Sequence, residues 1–255
     1  MEILLGIDGG GTKTDLAART RQSGDVVRAR AAGCSLSWTT PTAVEQTLQH
    51  GCEQALAPLG ARREDCVSVC AGFASAGQHR DAYEAMLRRL LPRARVRVMS
   101  DAELALEAAT GGGDGIVVIS GTGSIACGRY GGQQARAGGA GPGRDGGSGD
   151  WIGREAVGAG LIGAPADGNF AALVPEVAQR GLPAAEALFR RAGEELAALL
   201  LACARSLGSS APAAYYAGGV LTHVPLVRAG LAEAWPHALA ALPRSPADAA
   251  LELAR

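Results

Sequence analysis

Aromatic residues are scarce in this chain of 255 residues: three Phe, three Trp and four Tyr make up 4% of it. An interior so poor in rings has to be built from Ala, Val, Leu and Ile, and a hydrophobic share of 47% supplies enough of them for a sizeable core, in one large or two small domains. An excess of either charge is also missing. Lys and Arg number 24 against 25 Asp and Glu, so no global field draws the protein toward nucleic acid or an anionic membrane. The one local concentration, Arg88, Arg89, Arg93, Arg95 and Arg97, flanks a predicted helix end and strand and reads as a solvated face. No apolar run reaches the ~20 residues of a membrane span. The start, MEILLGIDGGG, lacks the basic region and cleavage site of a secretory signal, so the cytoplasm is the expected compartment. Cys34, Cys52, Cys66, Cys70, Cys127 and Cys203 are scattered without a Cys-x-x-Cys pair, which makes them core thiols rather than metal ligands or disulfide partners. An even offset places Cys66 and Cys70 on the same face of one strand.

What the chain has in plenty is glycine, 37 residues of it, much of it between apolar runs. Glu2–Ile7 reads as a strand ending in Asp8-Gly9-Gly10-Gly11. Thr12–Ala18 and Val26–Ala31 follow as strands, which together suggest a meander opening a sheet. Pro41 starts a predicted helix to about Leu56. Val67–Ala71 and Arg95–Met99 are predicted strands, and Asp81–Leu91 has helical periodicity. Ala102–Ala109 is a run of helix formers that Ser100 or Asp101 caps. Glycines 111–113 mark a plausible boundary between lobes 1–110 and 111–255. After it the opening repeats in outline: strand Gly115–Ser120, turn Gly121-Thr122-Gly123-Ser124, strand Ile125–Tyr130. Residues 131–149 are so rich in glycine that they read as a loop. Helices are expected from Trp151 and over Ala184–Leu207, and a short strand over Tyr215–Val220. The alternation indicates α/β layering.

Chemistry concentrates at the strand ends. Gly9, Gly10 and Gly11 let backbone N–H groups approach an anion, Thr12 and Thr14 offer hydroxyls, and Lys13 a mobile cation. Asp8, at a strand end, is placed to hold hydrated Mg²⁺. The segment is neither a Walker A loop nor a dinucleotide fingerprint, since neither GxxxxGK[ST] nor a helix-opening GxGxxG is present. Gly121, Thr122, Gly123 and Ser124 form a second loop of the same kind, and two such loops could clamp a triphosphate. Asp101 could act as a general base toward an attacking hydroxyl, or simply cap its helix. Gly218 and Gly219 could admit an adenine, or form an ordinary strand-to-helix turn.

GIDGGGTKT (6–14), FASAG (73–77), SDAELAL (100–106), GIVVISGTGSIACGR (115–129), GGSGDWIGREAV (146–157) and AGGVL (217–221) together resemble the actin-like, hexokinase-type ATPases, and within them the N-acetylglucosamine kinase and BadF/BadG/BcrA/BcrD ATPase family. The resemblance implies two ribonuclease-H-like α/β lobes with a cleft between them, ATP and Mg²⁺ as cofactors, and a sugar as acceptor. DGGGTKT and SGTGS look like the two phosphate loops, with Thr12, Lys13, Thr122 and Ser124 on phosphate oxygens, and AGGVL resembles the adenosine segment. Asp101 matches the family's base, and Ser75, Asp145 and the backbone of Gly121 and Thr122 match its sugar side. The pattern departs at Leu36, where the family has Asn, at Gly139-Ala140-Gly141, where it has Gly-Trp-Gly, and at Arg144–Ser148, where a Glu is missing. The expected function is an ATP-dependent kinase of N-acetylglucosamine, glucosamine or a related amino sugar, with a homodimer a common state for such proteins. The alternatives are an ATPase that couples hydrolysis to a partner, and a non-catalytic sugar or nucleotide sensor.

Overall fold

The computed structural model describes residues 1–210 and 212–255. They divide into two units, Met1–Gly111 with Pro243–Arg255, and Gly112–Leu242.

In the first unit β1 (Ile3–Gly9), β2 (Lys13–Thr20) and β3 (Val27–Ala32) form an antiparallel meander. β4 (Cys66–Phe73) and β5 (Arg95–Ser100) then add in parallel on the other side of β1, giving the order β3-β2-β1-β4-β5. α1 (Pro41–Leu56) links β3 to β4, α2 (Ala76–Leu90) links β4 to β5, and α3 (Asp101–Thr110) follows β5. α1 begins where the sequence predicts, with Pro41 in the first turn and the Thr40 hydroxyl accepting from the Ala43 amide. One face of the sheet buries Ile3, Leu5, Ile7, Val69 and Phe73 against Val44, Leu48, Tyr83 and Leu87 of α1 and α2.

The pairing of Cys66 with Cys70 on one face does not hold. The register of β4 against β1 slips between Ile3 and Leu4, so that Ile3 pairs with Cys66 but Leu4 with Ser68. A bulge of one residue inverts the alternation beyond it. Cys66 therefore joins the α1 core, while Cys70 pairs with Gly6 and approaches Met99 Sδ. All six thiols are buried and free.

The second unit repeats the plan. β6 (Gly115–Ser120), β7 (Ser124–Tyr130) and β8 (Gln133–Gly138) are antiparallel, and β9 (Ala214–Ala217) and β10 (Leu239–Ala241) add in parallel, in the order β8-β7-β6-β9-β10. The echo seen in the sequence is thus an echo of whole sheets, each five-stranded and mixed. β8 corrects the expected loop over 131–149. Gly131 and Gly132, both at positive φ, make a two-residue hairpin turn, and Tyr130 pairs with Gln133 across it. α4 (Gly149–Gly158), α5 (Val174–Gln179), α6 (Pro183–Ser206), α7 (Gly219–His223) and α8 (Pro225–Ala234) complete the unit.

α6 and α8 cross at two glycines. A Cβ on Gly193 would stand 2.3 Å from the backbone of Val227 and Leu231, and one on Gly230 would stand 2.3 Å from the Arg190 carbonyl. Neither backbone can yield without separating the helices. Gly193→Ala is expected to lower stability by about 1–3 kcal/mol, read as a lower urea midpoint at unchanged slope.

The expectation that the second lobe runs to the carboxyl end is also corrected. α9 (Pro246–Leu253) belongs to the first unit, where it lies so close to β1 that a Cβ on Gly6 would meet Ala247 and Leu251 at 2.3 Å. Arg28–Asp248 and Arg19–Glu252 ion pairs hold it there.

Candidate active site

Parallel strands deliver their carboxyl ends to one edge of a sheet, and ligands of open α/β sheets gather there. In the first unit Gly9 of β1 pairs with Phe73 of β4, and Phe73 with Ser100 of β5. That single row places Asp8, Ser75 and Asp101 at neighbouring strand ends. The sequence singled out all three separately, and the sheet brings them together.

The question of what caps α3 is resolved by geometry. Ser100 is the N-cap: its hydroxyl accepts from the Glu103 amide at 3.1 Å, and Glu103 Oε2 accepts from the Ser100 amide at 2.7 Å. This reciprocal box satisfies the helix start. Asp101 is the first helical residue, and its Oδ1 accepts from the Ala102 amide at 2.8 Å.

Asp8 lies in the middle of a negative group. Burial, then the charges of Asp101 and Asp15, push its carboxyl up to about 7, with Lys13 pulling the other way. A cavity of about 370 Å³, lined among others by Asp8, Asp15, Arg28, Arg30 and Ser245, opens beside it. A site that makes its own carboxylate costly to ionise fits a divalent cation, which would supply the missing positive charge. Lys13, the chain's single lysine, donates to Asp15 at 2.8 Å, and Arg30 donates to the other Asp15 oxygen at 2.6 Å. Burial opposes ionisation of Asp15, but these two bonds hold its carboxyl below the ordinary range. Asp15 and Arg30 carry no motif, and only the cross-strand register Asp8–Asp15–Arg30 reveals them.

The glycines of the first loop have different reasons. A Cβ on Gly9 would enter the Phe73 ring and the Cys34 thiol, so packing alone demands glycine there. Gly10 closes the turn, its amide on the Lys13 carbonyl at 2.9 Å. At Gly11 the nearest atom to a Cβ is Trp38 Cδ1 at 3.9 Å, so this is the position left open to a ligand. Thr12 is exposed, whereas Thr14 is buried and donates to the Ala32 carbonyl, so Thr14 is not a donor for an anion.

In the second unit the turn from β6 to β7 follows the same logic. Gly121 has open space where a Cβ would be, and Gly123 faces Asp145 Oδ2 at 3.0 Å. The Gly121 and Thr122 carbonyls accept from the Gly149 and Asp150 amides at the start of α4. Ser124 is buried and donates to the Gly146 carbonyl at 2.7 Å, so its proton secures the glycine-rich segment instead of facing a phosphate. Asp145 is buried too, accepting from the Ala140 and Gly141 amides at 2.6 and 3.1 Å. Asp150, in the first turn of the α4 helix that Ser148 caps, accepts from the Gly143 amide and from Arg154. Gly218, at φ +95°, would strike the Ser120 carbonyl with a Cβ, while Gly219 is open. Packing against β6 explains the first glycine, and only the second leaves room for a base.

A profile described as the BadF/BadG/BcrA/BcrD ATPase family matches residues 5–162. The chain belongs to that family. Among curated proteins, it is 37% identical over 142 residues to an N-acetylmuramic acid/N-acetylglucosamine kinase of Clostridium acetobutylicum, covering 54% of this chain and 46% of that protein. It is 31% identical over 140 residues to the glucosamine kinase GspK of Vibrio cholerae, covering 54% of this chain and 47% of that one. The match therefore spans less than half the length of these two relatives. A solved structure of a candidate N-acetylglucosamine kinase from Chromobacterium violaceum superposes with a TM-score of 0.80 at 25% identity, over 100% of this chain and 99% of that one. No helix among the described residues is long and apolar enough to cross a membrane.

Proposed function

We propose that this member of the family is an ATP-dependent kinase of an amino sugar. The observation that carries the reading is the row Gly9–Phe73–Ser100 that ends three adjacent parallel strands in register, with Asp8, Ser75 and Asp101 each within two residues of it. Phosphate transfer to a hydroxyl draws on a residue that orients the attacking oxygen and on a metal ion that neutralises the phosphates, and this edge offers a carboxylate for each.

Asp101 accepts the proton of the sugar hydroxyl as its oxygen attacks the γ-phosphorus. It starts a helix that Ser100 already caps, and its placement does not depend on its own cap bond. The open backbone at Gly11 with Thr12 binds phosphate oxygens in the first unit, and the Gly121–Gly123 turn offers the same chemistry in the second. Lys13 reaches the same oxygens by leaving Asp15, which Arg30 continues to neutralise. Asp8 would hold Mg²⁺, which neutralises charge on the phosphates when bound. Gly219 faces the adenosine in this scheme, and Gly218 holds the turn against β6. Ser124 and Asp145 act by fixing the second turn.

Release of ADP from Mg·ATP, followed with N-acetylglucosamine, glucosamine, N-acetylmuramic acid, N-acetylmannosamine and glucose, tests this directly. Release that depends on an amino sugar is the expected result. Equal release without sugar would replace the reading with an ATPase coupled to a partner, and no release with any of them would replace it with a sensor. A second check uses the single lysine: ATP is expected to slow the labelling of Lys13 by an amine-directed reagent, while labelling of the terminal amine is unaffected.

A further inference from the structure

Beneath the first loop runs a line of hydroxyls, of which the proposed transfer uses Ser75 alone. Tyr83 is wholly buried, its ring stacked on Phe73 with centroids 3.9 Å apart and planes 7° from parallel. Its hydroxyl lies 2.9 Å from the Cys34 carbonyl, 2.9 Å from the Leu36 amide and 2.7 Å from Ser75 Oγ. Ser35 Oγ lies 3.3 Å beyond, on Ser75.

Proton counting fixes the direction of every bond. A phenol has one proton, and the Cys34 carbonyl can only accept it. The Leu36 N–H and the Ser75 O–H must then both donate to the phenol oxygen. With its proton committed inward, Ser75 can only accept from Ser35, and it keeps one lone pair. Ser35, Ser75 and Tyr83 are buried, so reversing the chain would leave a donor or an acceptor unsatisfied.

We propose that Tyr83 is a positioning residue that sets the polarity of Ser75, so that Ser75 meets the substrate only as a hydrogen-bond acceptor and selects a group that donates, a sugar hydroxyl or an amide N–H. The inference rests on the reading of Ser75 as a sugar contact. It adds a residue that nothing in the sequence marked.

The test uses the full chain, whichever sugar of the panel gives ADP release, and analogues of that sugar with single hydroxyls replaced by fluorine, which cannot donate. The native protein is expected to reject one of these analogues about tenfold or more in kcat/KM, the worth of one hydrogen bond. Tyr83→Phe keeps the stack and frees the Ser75 proton. In that variant the sugar KM is expected to rise about tenfold, the ATP KM to stay put, and the discrimination against the fluorinated sugar to narrow. In a Ser75→Ala background Tyr83→Phe is expected to add nothing to the sugar KM. Equal rises in both KM values, unchanged discrimination, or full additivity with Ser75→Ala would overturn the inference while leaving the kinase reading intact. A native chain that turns over none of the sugars overturns that reading, and this inference with it.

Discussion

Replacing Asp101 with alanine is expected to cut sugar phosphorylation by ~10²–10⁴-fold, the range typical of a lost general base, while the affinity for nucleotide stays nearly unchanged. The alternative role, a helix cap, predicts a different signature. Loss of a cap shows in stability, at about 1 kcal/mol, and leaves turnover alone. Here the cap belongs to Ser100, whose box with Glu103 does not need Asp101. What Asp101 gives α3 is a favourable charge at its first turn, worth about 0.3–1 kcal/mol. The variant should therefore fold with a melting temperature close to native and fail at chemistry. Single-turnover kinetics separate the two. Near-native transfer in Asp101→Ala would remove it from the mechanism. Ser100→Ala supplies the opposite control, since it should cost stability and spare most of the rate.

The same pair of residues shows what a sequence reveals and what it hides. Asp101 was visible because it follows an apolar strand and opens a run of helix formers, but its role stayed open between cap and base. Because either residue type can cap, only the geometry of Ser100 and Glu103 removes the cap reading, and the base remains a proposal. The strands of the first unit were legible because the residues that β1 and β4 bury form short apolar runs. β8 was hidden for the opposite reason: Gln133–Gly138 is an edge strand with mostly exposed side chains, and the glycines before it, which make the hairpin turn, look like a loop. Cys66 and Cys70 show a subtler failure. Alternation is a local rule, and one bulged residue between them reversed it. Tyr83 and Asp15 are out of reach altogether, since Tyr83 is fixed by the Cys34 carbonyl, 49 positions away, and Asp15 by Arg30, 15 positions away. The loops hold fewer ligand-facing residues than their motifs suggest. Gly9 and Gly218 are glycines for reasons of packing, and Thr14 and Ser124 spend their protons on carbonyls. A motif names the residues of a loop without saying which of them face the ligand.

Asp8→Asn is expected to abolish transfer and yet to stabilise the unliganded protein above neutral pH. The folded carboxyl titrates at about 7 against an ordinary value of 3.8, so the folded chain holds this proton more tightly than the unfolded chain. The stability it contributes is complete below pH 3.8 and is lost as pH rises through about 7. Across that window the native protein gives up at most about 4 kcal/mol, from roughly three units at 1.36 kcal/mol each, and less where solvent reaches the carboxylate. Asparagine is neutral at every pH and escapes the loss. Urea titrations at pH 4 and pH 8 should then show native and variant nearly matched at the lower pH and the variant ahead at the higher one. Mg·ATP should reverse the order at pH 8, because it binds the native folded state and raises its midpoint by mass action, whereas the variant has no carboxylate to offer the cation. A variant no more stable than native at pH 8 would mean that the Asp8 charge is already compensated without a ligand. The strain at Asp8 would then be no part of how the site prepares for its metal and nucleotide.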